Sequence, residues 1–316
     1  MRIYFFLPFI LIAFFFFSHN YSFFFVADSN ETVLHTNSLI KSSSLNWWEI
    51  DSLTAEGYGS IPVGESDFFR AKLLAKRIAL LDAYRNLAAA AGNIHITAND
   101  TLTNHKVEAL IKGADVLSES YDELGNCSIV LSVPIYGLSN SFAMSAFLPV
   151  DKLNFPAPTG NVVAKGNYTG LIIDCGDLEL NPVLSPVIRD ENNQSIYAYG
   201  NLDYDKVIAK GMIGYSEKKS LKLRNEDEII LLKLNGSENE FKQIGSKIFL
   251  ADADGNLSRA GDNPLIIKAE SLGDDNSCPV ISAEDADKIL SENLTTHFLD
   301  EGAVVFTSNR IRGMRL

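Results

Sequence analysis

Apolar and polar positions repeat with a helical period over one long stretch of this chain and with a strand period over several short ones. The helical stretch runs from Asp67 to about Ala91. Leu73, Leu80, Tyr84, Leu87 and Ala91 mark one side, and Ala71, Leu74, Ala75, Ile78 and Leu81 mark another. Ser66 is the expected N-cap and Gly92-Asn93 the expected stop. A helix apolar on two sides is a buried one, and a single sheet covers only one of them. The second side must therefore meet the small helix that follows, the other domain or another molecule. Leu74, Ile78, Leu81 and Arg85 are the candidate interaction stripe.

Ahead of that helix, Ile50 to Ile61 reads as a strand ended by the turn Pro62-Val63-Gly64. Its two glycines, Gly57 and Gly59, mark places where a side chain would obstruct a close neighbour or where the backbone must bend. Behind it come a strand from Ile94 to Ala98, a short helix from Asn104 to Lys112, and strands from Ala114 to Tyr121 and from Cys127 to Tyr136. The last two face each other across Asp122-Glu123-Leu124-Gly125-Asn126, a composition that favours a hairpin. The order β-α-β-α-β-β predicts an α+β fold for residues 47–137, a small antiparallel or mixed sheet covered by the Ala-rich helix.

Between Leu138 and Gly166 no period is sustained, and Pro149, Pro156, Pro158, Gly160 and Gly166 accumulate, which predicts a linker over 138–166. A second α+β domain is expected over 167–316. Its strands are read at Thr169–Asp174, at Val183–Arg189 and Ser195–Tyr199 around Asp190-Glu191-Asn192-Asn193, and at Glu228–Leu234, Lys247–Ala251, Pro264–Ala269 and Ala303–Thr307. Its helices are read at Asp203–Lys210, stopping at Gly211, and from a cap at Ser282 to Leu299. The second carries Ala286, Ile289, Leu290, Leu294 and Phe298 as one stripe.

The N-terminus changes the picture of where the protein works. Met1-Arg2 followed by the apolar run Ile3 to Phe17 has the layout of an export signal, so residues 1–27 are expected to direct export. No cleavage site of small residues is evident near Ser22 or Ala27, and residues 3–27 approach the length that crosses a bilayer, so an uncleaved anchor is the alternative. Residues 28–46, rich in Ser, Asn and Thr, read as a flexible spacer.

A chain of 316 residues with a formal net charge of −13 suits two soluble domains. The charge argues against nucleic acid and against an anionic lipid surface, since both need a basic patch; membrane contact is expected only through the N-terminal segment. Cys127, Cys175 and Cys278 form no CxxC pair, which leaves buried thiols or a single bridge with one thiol over. His95, His105 and His297 stand far apart, and no HExxH, GxSxG or GxxxxGK occurs. Ser216-Glu217-Lys218-Lys219 matches a Ser-x-x-Lys pattern without a later Lys-Thr-Gly. Asp252-x-Asp254-Gly255-Asn256 starts like a calcium loop but lacks its Gly and closing Glu. No catalytic, metal or cofactor-binding residue is assigned, and no cofactor is expected.

Several motifs of the first unit are distinctive in order and spacing. They are Ala55-Glu56-Gly57-Tyr58-Gly59, the run Ala71-x-x-x-Ala75-x-x-x-Ala79 leading to Leu81-Asp82-Ala83-Tyr84-Arg85-Asn86-Leu87-Ala88, Ile111-Lys112-Gly113-Ala114, and Val133-Pro134-Ile135-Tyr136-Gly137. Over residues 52 to 137 the chain resembles the module of the small LPP-type outer-membrane lipoproteins and of the N-terminal domain of the flagellar assembly protein T. The resemblance implies an exported, non-catalytic module of the bacterial envelope, in some members part of a ring around a flagellar motor. This chain lacks the lipoprotein cysteine and continues into a long second domain. The expectation is an exported envelope binding or assembly protein without catalytic activity, whose partners are envelope proteins or further copies of itself. The alternatives are a cell-wall or peptide hydrolase with its site in the second domain, and a small-ligand-binding envelope protein. A deep cleft gathering titratable groups would mark the hydrolase, and exposed apolar surface would mark the assembly protein.

Overall fold

The computed structural model describes residues 47–160, 162–217, 232–234, 237–239 and 259–312. By its contacts the chain divides into Met1–Ser42 and Ser43–Leu316, and every described residue belongs to the second of these. That unit is α+β. The export segment, the spacer, the start of the expected strand Glu228–Leu234, the expected strand Lys247–Ala251 and the stretch from Asp252 lie outside the described residues, as do Lys218 and Lys219 of the Ser216 motif.

Strand β1 (Ser52–Gly59) leads into helix α1 (Phe68–Gly92), then helix α2 (Asn104–Lys112), strand β2 (Asp115–Tyr121) and strand β3 (Cys127–Pro134). The three strands form an antiparallel sheet in the order β1-β3-β2, pairing Gly57 with Ile129 and Gly59 with Cys127. Helix α1 needs little explanation at the level of propensity, because Ala, Leu, Lys and Arg dominate it and neither Gly nor Pro interrupts it. Its N-cap is Asp67 rather than the expected Ser66: the Asp67 carboxylate accepts from the amides of Phe69 and Arg70. A carboxylate at this position also complements the positive end of the helix dipole, which a hydroxyl does less well.

The face of α1 that meets the sheet is made of alanine. Ala71, Ala75, Ala79, Ala83, Leu87 and Ala91 are buried, each four residues from the next. The approach is close because β1 offers glycines there. A Cβ on Gly57 would lie 2.7 Å from Ala83 Cα and nearer still to Ala79 O and Ala83 N, and one on Gly59 would lie 2.5 Å from Ala79 N. Small faces Gly, so two backbones pack at a distance that larger side chains forbid, and many weak dispersion contacts replace a few large ones. Of the two sequence explanations for these glycines, obstruction of a close neighbour holds.

Helix α1 also closes the free edge of β1. Asp82 Oδ2 accepts from the Tyr58 amide at 3.1 Å, and Asn86 Nδ2 donates to Glu56 O at 2.7 Å. One turn of helix therefore satisfies a donor and an acceptor that an edge strand leaves bare. Asp82→Ala and Asn86→Ala should each cost about 1 kcal/mol of stability. Only the first should speed hydrogen exchange at the Tyr58 amide, which amide exchange followed by NMR would check.

The expected strand at Ile94–Ala98 does not form. His95 and Thr101 make an isolated bridge, and the carbonyls of His95 and Ile96 accept from Leu184 and Ser185. The segment's backbone groups are met across the chain rather than by a ladder, so its alternating residues never become a strand. The hairpin of β2 and β3 forms as expected, with Asp122 Oδ1 accepting from the amides of Leu124 and Asn126 and Gly125 at positive φ.

Residues 138–166 are not a free linker. Ser141 caps a short helix, α3 (Phe142–Ala146), whose Phe142 and Ala143 are fully buried. From there the chain runs as a strap across the second half of the molecule. Tyr199 OH donates to Leu148 O, Leu153 N to Gly200 O at 2.7 Å, Thr159 N to Asp287 at 2.7 Å, and Lys165 and Gly166 N to the buried Glu292 at 2.6 and 2.8 Å. Prolines without period described an extended segment correctly. What they cannot encode is that distant carboxylates pin it down.

The remaining elements are β4 (Gly170–Asp174), β5 (Glu179–Leu180), β6 (Ile188–Asp190), β7 (Ser195–Tyr197), α4 (Tyr204–Lys210), β8 (Gly214–Glu217), β9 (Leu232–Leu234), β10 (Ser237–Asn239), β11 (Pro264–Lys268), β12 (Ser271–Gly273), β13 (Cys278–Ile281), α5 (Ala283–Thr296), β14 (Val304–Ser308) and β15 (Arg310–Ile311). A parallel sheet in the order β11-β4-β14-β8 and a mixed one in the order β12-β13-β6-β7 organise them. Gly261-Asp262-Asn263-Pro264 opens the first sheet. Thr169 donates to Ala260 O and accepts from Asn263 N, zipping the entrances of β4 and β11 together, with Pro264 at the head of an edge strand. Helix α5 stops at Thr296, short of the expected Leu299, because His297 turns left-handed, and Leu294 of its expected stripe is exposed.

Both halves share one core. Trp47 is buried with its ring 6.2 Å from Tyr215, which in turn lies 6.0 Å from Phe306. The position of a Cβ on Gly211 is taken by the Tyr136 ring, whose hydroxyl pKa burial pushes up to about 12. The three cysteines are free and buried, and burial raises the Cys175 thiol to about 12 and the Cys278 thiol to about 11. They behave as small hydrophobes.

Candidate interaction surface

Because the alanines of α1 repeat every four residues, the residues two places on from each stand on the opposite side of the helix. Phe69, Leu73, Arg77, Leu81, Arg85 and Ala89 are all exposed. Leu73 is 67% exposed, Ile78 44% and Leu81 51%, large values for leucine and isoleucine in a helix. Of the stripe expected from the sequence, Ile78, Leu81 and Arg85 lie open, while Leu74 is half-buried. Neither α2 nor the described residues of the second half cover them, so of the three destinations open to this stripe, the two inside the described chain are not used. Arg85 does not pair with Asp82, which is turned toward β1.

Sequence reasoning assigned Leu73 to a packing side and passed over Phe69 and Arg77. The signal was present in the chain. A run of alanines at four-residue spacing, together with two glycines two apart in the preceding strand, identifies the docked face as the small one and Leu73 and Leu81 as outward.

At the N-terminal end of α1 this ridge continues into two turns. Ile61 N donates to Asn126 Oδ1 at 3.0 Å, and Gly125 sits against the side chains of Ile61, Phe68 and Lys72. The turns after β1 and before β3 therefore form one tip, on which Val63, Leu124, Phe68 and Phe69 are exposed. Lys72 lies 4.6 Å from the centroid of the Tyr121 ring and Lys76 pairs with Glu119 at 2.7 Å, tying α1 to β2, a strand exposed at every residue. Within α1 five cations, Arg70, Lys72, Lys76, Arg77 and Arg85, face a single carboxylate, Asp82, a formal +4 in a chain of net −13.

Chemistry is not concentrated elsewhere among the described residues. A groove of about 450 Å³ lies between the end of α1 and α2, lined by Ala88, Ala89, Gly92, Asn104, Val107 and Glu108 among others. Its carboxylate, Glu108, is held by Lys112 at 2.8 Å, a hydrogen bond that lowers its pKa. Among the described residues no group of three His, Cys, Asp or Glu side chains could hold a metal ion, and no helix is long and apolar enough to cross a membrane. The arrangement is an exposed apolar ridge carried on a small α+β module.

Comparison with known proteins bears on the other half of the chain. Residues 170–310 match the model of a family described as Treponema pallidum Tp0624, second domain, so this segment, from the first residue of β4 to the first of β15, is similar to that family. No curated protein matches the chain.

Proposed function

We propose that this protein is an exported binding or assembly component of the cell envelope and that the outward ridge of α1 is its contact surface. One observation carries the reading. The helix buries five alanines and Leu87 while leaving Phe68, Phe69, Leu73, Ile78 and Leu81 exposed, the reverse of what folding alone would select for most of its large apolar side chains. Burying a leucine contributes about 2 kcal/mol. A chain that leaves Leu73, Ile78 and Leu81 in water forgoes that stabilisation unless another surface covers them. The export layout of residues 1–27 and the resemblance of residues 52 to 137 to envelope modules support the compartment.

Leu81→Glu tests the role directly. In crosslinked cells producing the tagged full chain, the substitution should reduce adducts at least about tenfold, a loss of about 1.4 kcal/mol of contact. The unfolding midpoint should stay close to that of the wild type, because Leu81 is half exposed and takes no part in the core. A wild-type chain that is monomeric and yields no adducts would count against the proposal.

A further inference from the structure

The surface formed by α1 and the tip divides into two apolar halves of opposite charge. At the tip, Phe69 is 80% exposed and Leu124 74%, and four carboxylates, Glu65, Asp67, Asp122 and Glu123, stand around them against two cations, Arg70 and Lys72, a formal excess of two negative charges. Glu65 is paired to Arg70 at 3.2 Å, and Asp67 and Asp122 accept from nearby amides. Further along the helix Ile78 and Leu81 are flanked by Arg77 and Arg85, and the nearest carboxylate, Asp82, already accepts from the Tyr58 amide. The chain thus carries both members of a complementary pair on one contiguous face.

We propose, resting on the assembly role above, that the occupant of this face is a second copy of the chain, with the two α1 helices antiparallel. A two-fold axis across the middle of the ridge brings the acidic tip of each copy against the Arg77–Arg85 half of the other. Phe69 and Leu73 then meet Ile78 and Leu81 twice over, which is the self-complementarity an isologous dimer requires. A parallel arrangement sets like charge on like. An anionic lipid surface repels the four tip carboxylates, whereas a second copy neutralises them.

Size sets the strength. Pairing Phe69 with Leu81 overlaps about fifteen helical residues, about 22 Å, and a face about 10 Å wide buries about 200 Å² per copy before the tips are added, below the standard interface. The dimer is therefore weak, concentration-dependent and sensitive to salt.

Sedimentation of the full chain in nonionic detergent tests the pairing. The wild type should move from monomer to dimer with rising concentration, less readily at high salt. Arg77→Glu/Arg85→Glu makes both halves acidic, and Glu65→Lys/Glu123→Lys makes the tip basic. Each variant alone should stay monomeric where the wild type is half dimer, and an equimolar mixture should recover dimer, because each tip then meets an opposite ridge. Trapping gives a second reading: a mixture of Phe69→Cys and Leu81→Cys copies should form a mixed disulfide under mild oxidation, and neither copy alone should do so at that rate. A wild type that remains monomeric, a variant that dimerises normally, or a mixture that stays monomeric overturns the pairing. If the wild type remains monomeric while Leu81→Glu still removes envelope adducts, self-pairing falls and the assembly role stands; if the adducts are also absent, both fall.

Discussion

Gly57→Ala should destabilise the protein by about 3 kcal/mol or more, although it adds one methyl group on the surface of a strand. The added Cβ would lie 2.7 Å from Ala83 Cα and closer to the Ala79 carbonyl oxygen. Those atoms belong to helix backbone, which no rotamer change can move aside. To accept the methyl, α1 must lift from the sheet, and that loosens the whole alanine face and the two clasps that Asp82 and Asn86 make with β1. Glycine in a strand ordinarily costs stability for its backbone freedom, so the same substitution at an unobstructed strand position should be neutral or stabilising. Chemical denaturation distinguishes the two: a lowered midpoint with unchanged slope supports the close contact, and an unchanged or raised midpoint refutes it.

Arg259→Met should cost about as much, in the other half of the chain. The guanidinium donates from Nε to Gly302 O at 2.5 Å, from Nη1 to Lys210 O at 2.7 Å and Ile213 O at 3.1 Å, and from Nη2 to Gly211 O. It collects the carbonyls at the end of α4 and joins them to the turn before β14. Desolvation lowers its pKa from the ordinary arginine value, and among the described residues backbone carbonyl dipoles rather than a carboxylate meet the charge. Methionine matches the length but leaves four carbonyl oxygens without this donor, so a loss of about 3 kcal/mol is expected. Lysine carries the same charge without the fork that spans four acceptors, and Arg259→Lys should recover less than half of the difference. Thermal unfolding of the two variants reads both effects, and equal stability of Arg259→Met and wild type would contradict them.

How much of this could be read from the chain depends on how local the cause was. Helix α1, its stop at Gly92, helix α2 and the hairpin of β2 and β3 follow from capping residues, period and turn composition, all within a few positions of the element they define. The α+β class followed from their order. Which side of α1 was buried did not follow from hydrophobicity, because the rule that the larger apolar side chain goes inside fails where the partner strand is glycine. Ala79 fits over Gly57 and Gly59, and Leu81 does not.

Other elements were hidden by non-local causes. Strands β8, β12 and β13 have four, three and four residues, too few to show alternation. The turn joining β12 to β13 places Asp274, Asp275 and Asn276 at positive φ in succession, which composition alone does not announce. The strap over 148–166 is fixed by Asp287 and Glu292, more than a hundred residues away. Arg259 is one arginine among polar residues until the fold gathers four carbonyls around it. The contact surface was half legible: Ile78, Leu81 and Arg85 were named from their spacing, whereas Phe69, Leu73 and the tip needed the docked geometry.

The central claim is that the outward ridge of α1 is occupied when the protein works. A photo-crosslinking residue placed at Leu81 in living cells tests it most directly, with the same residue at the still more exposed Leu294 of α5 as the reference. Abundant, discrete adducts from position 81 and few from position 294 are the predicted result. Equal yields from both, or none from position 81, would contradict it.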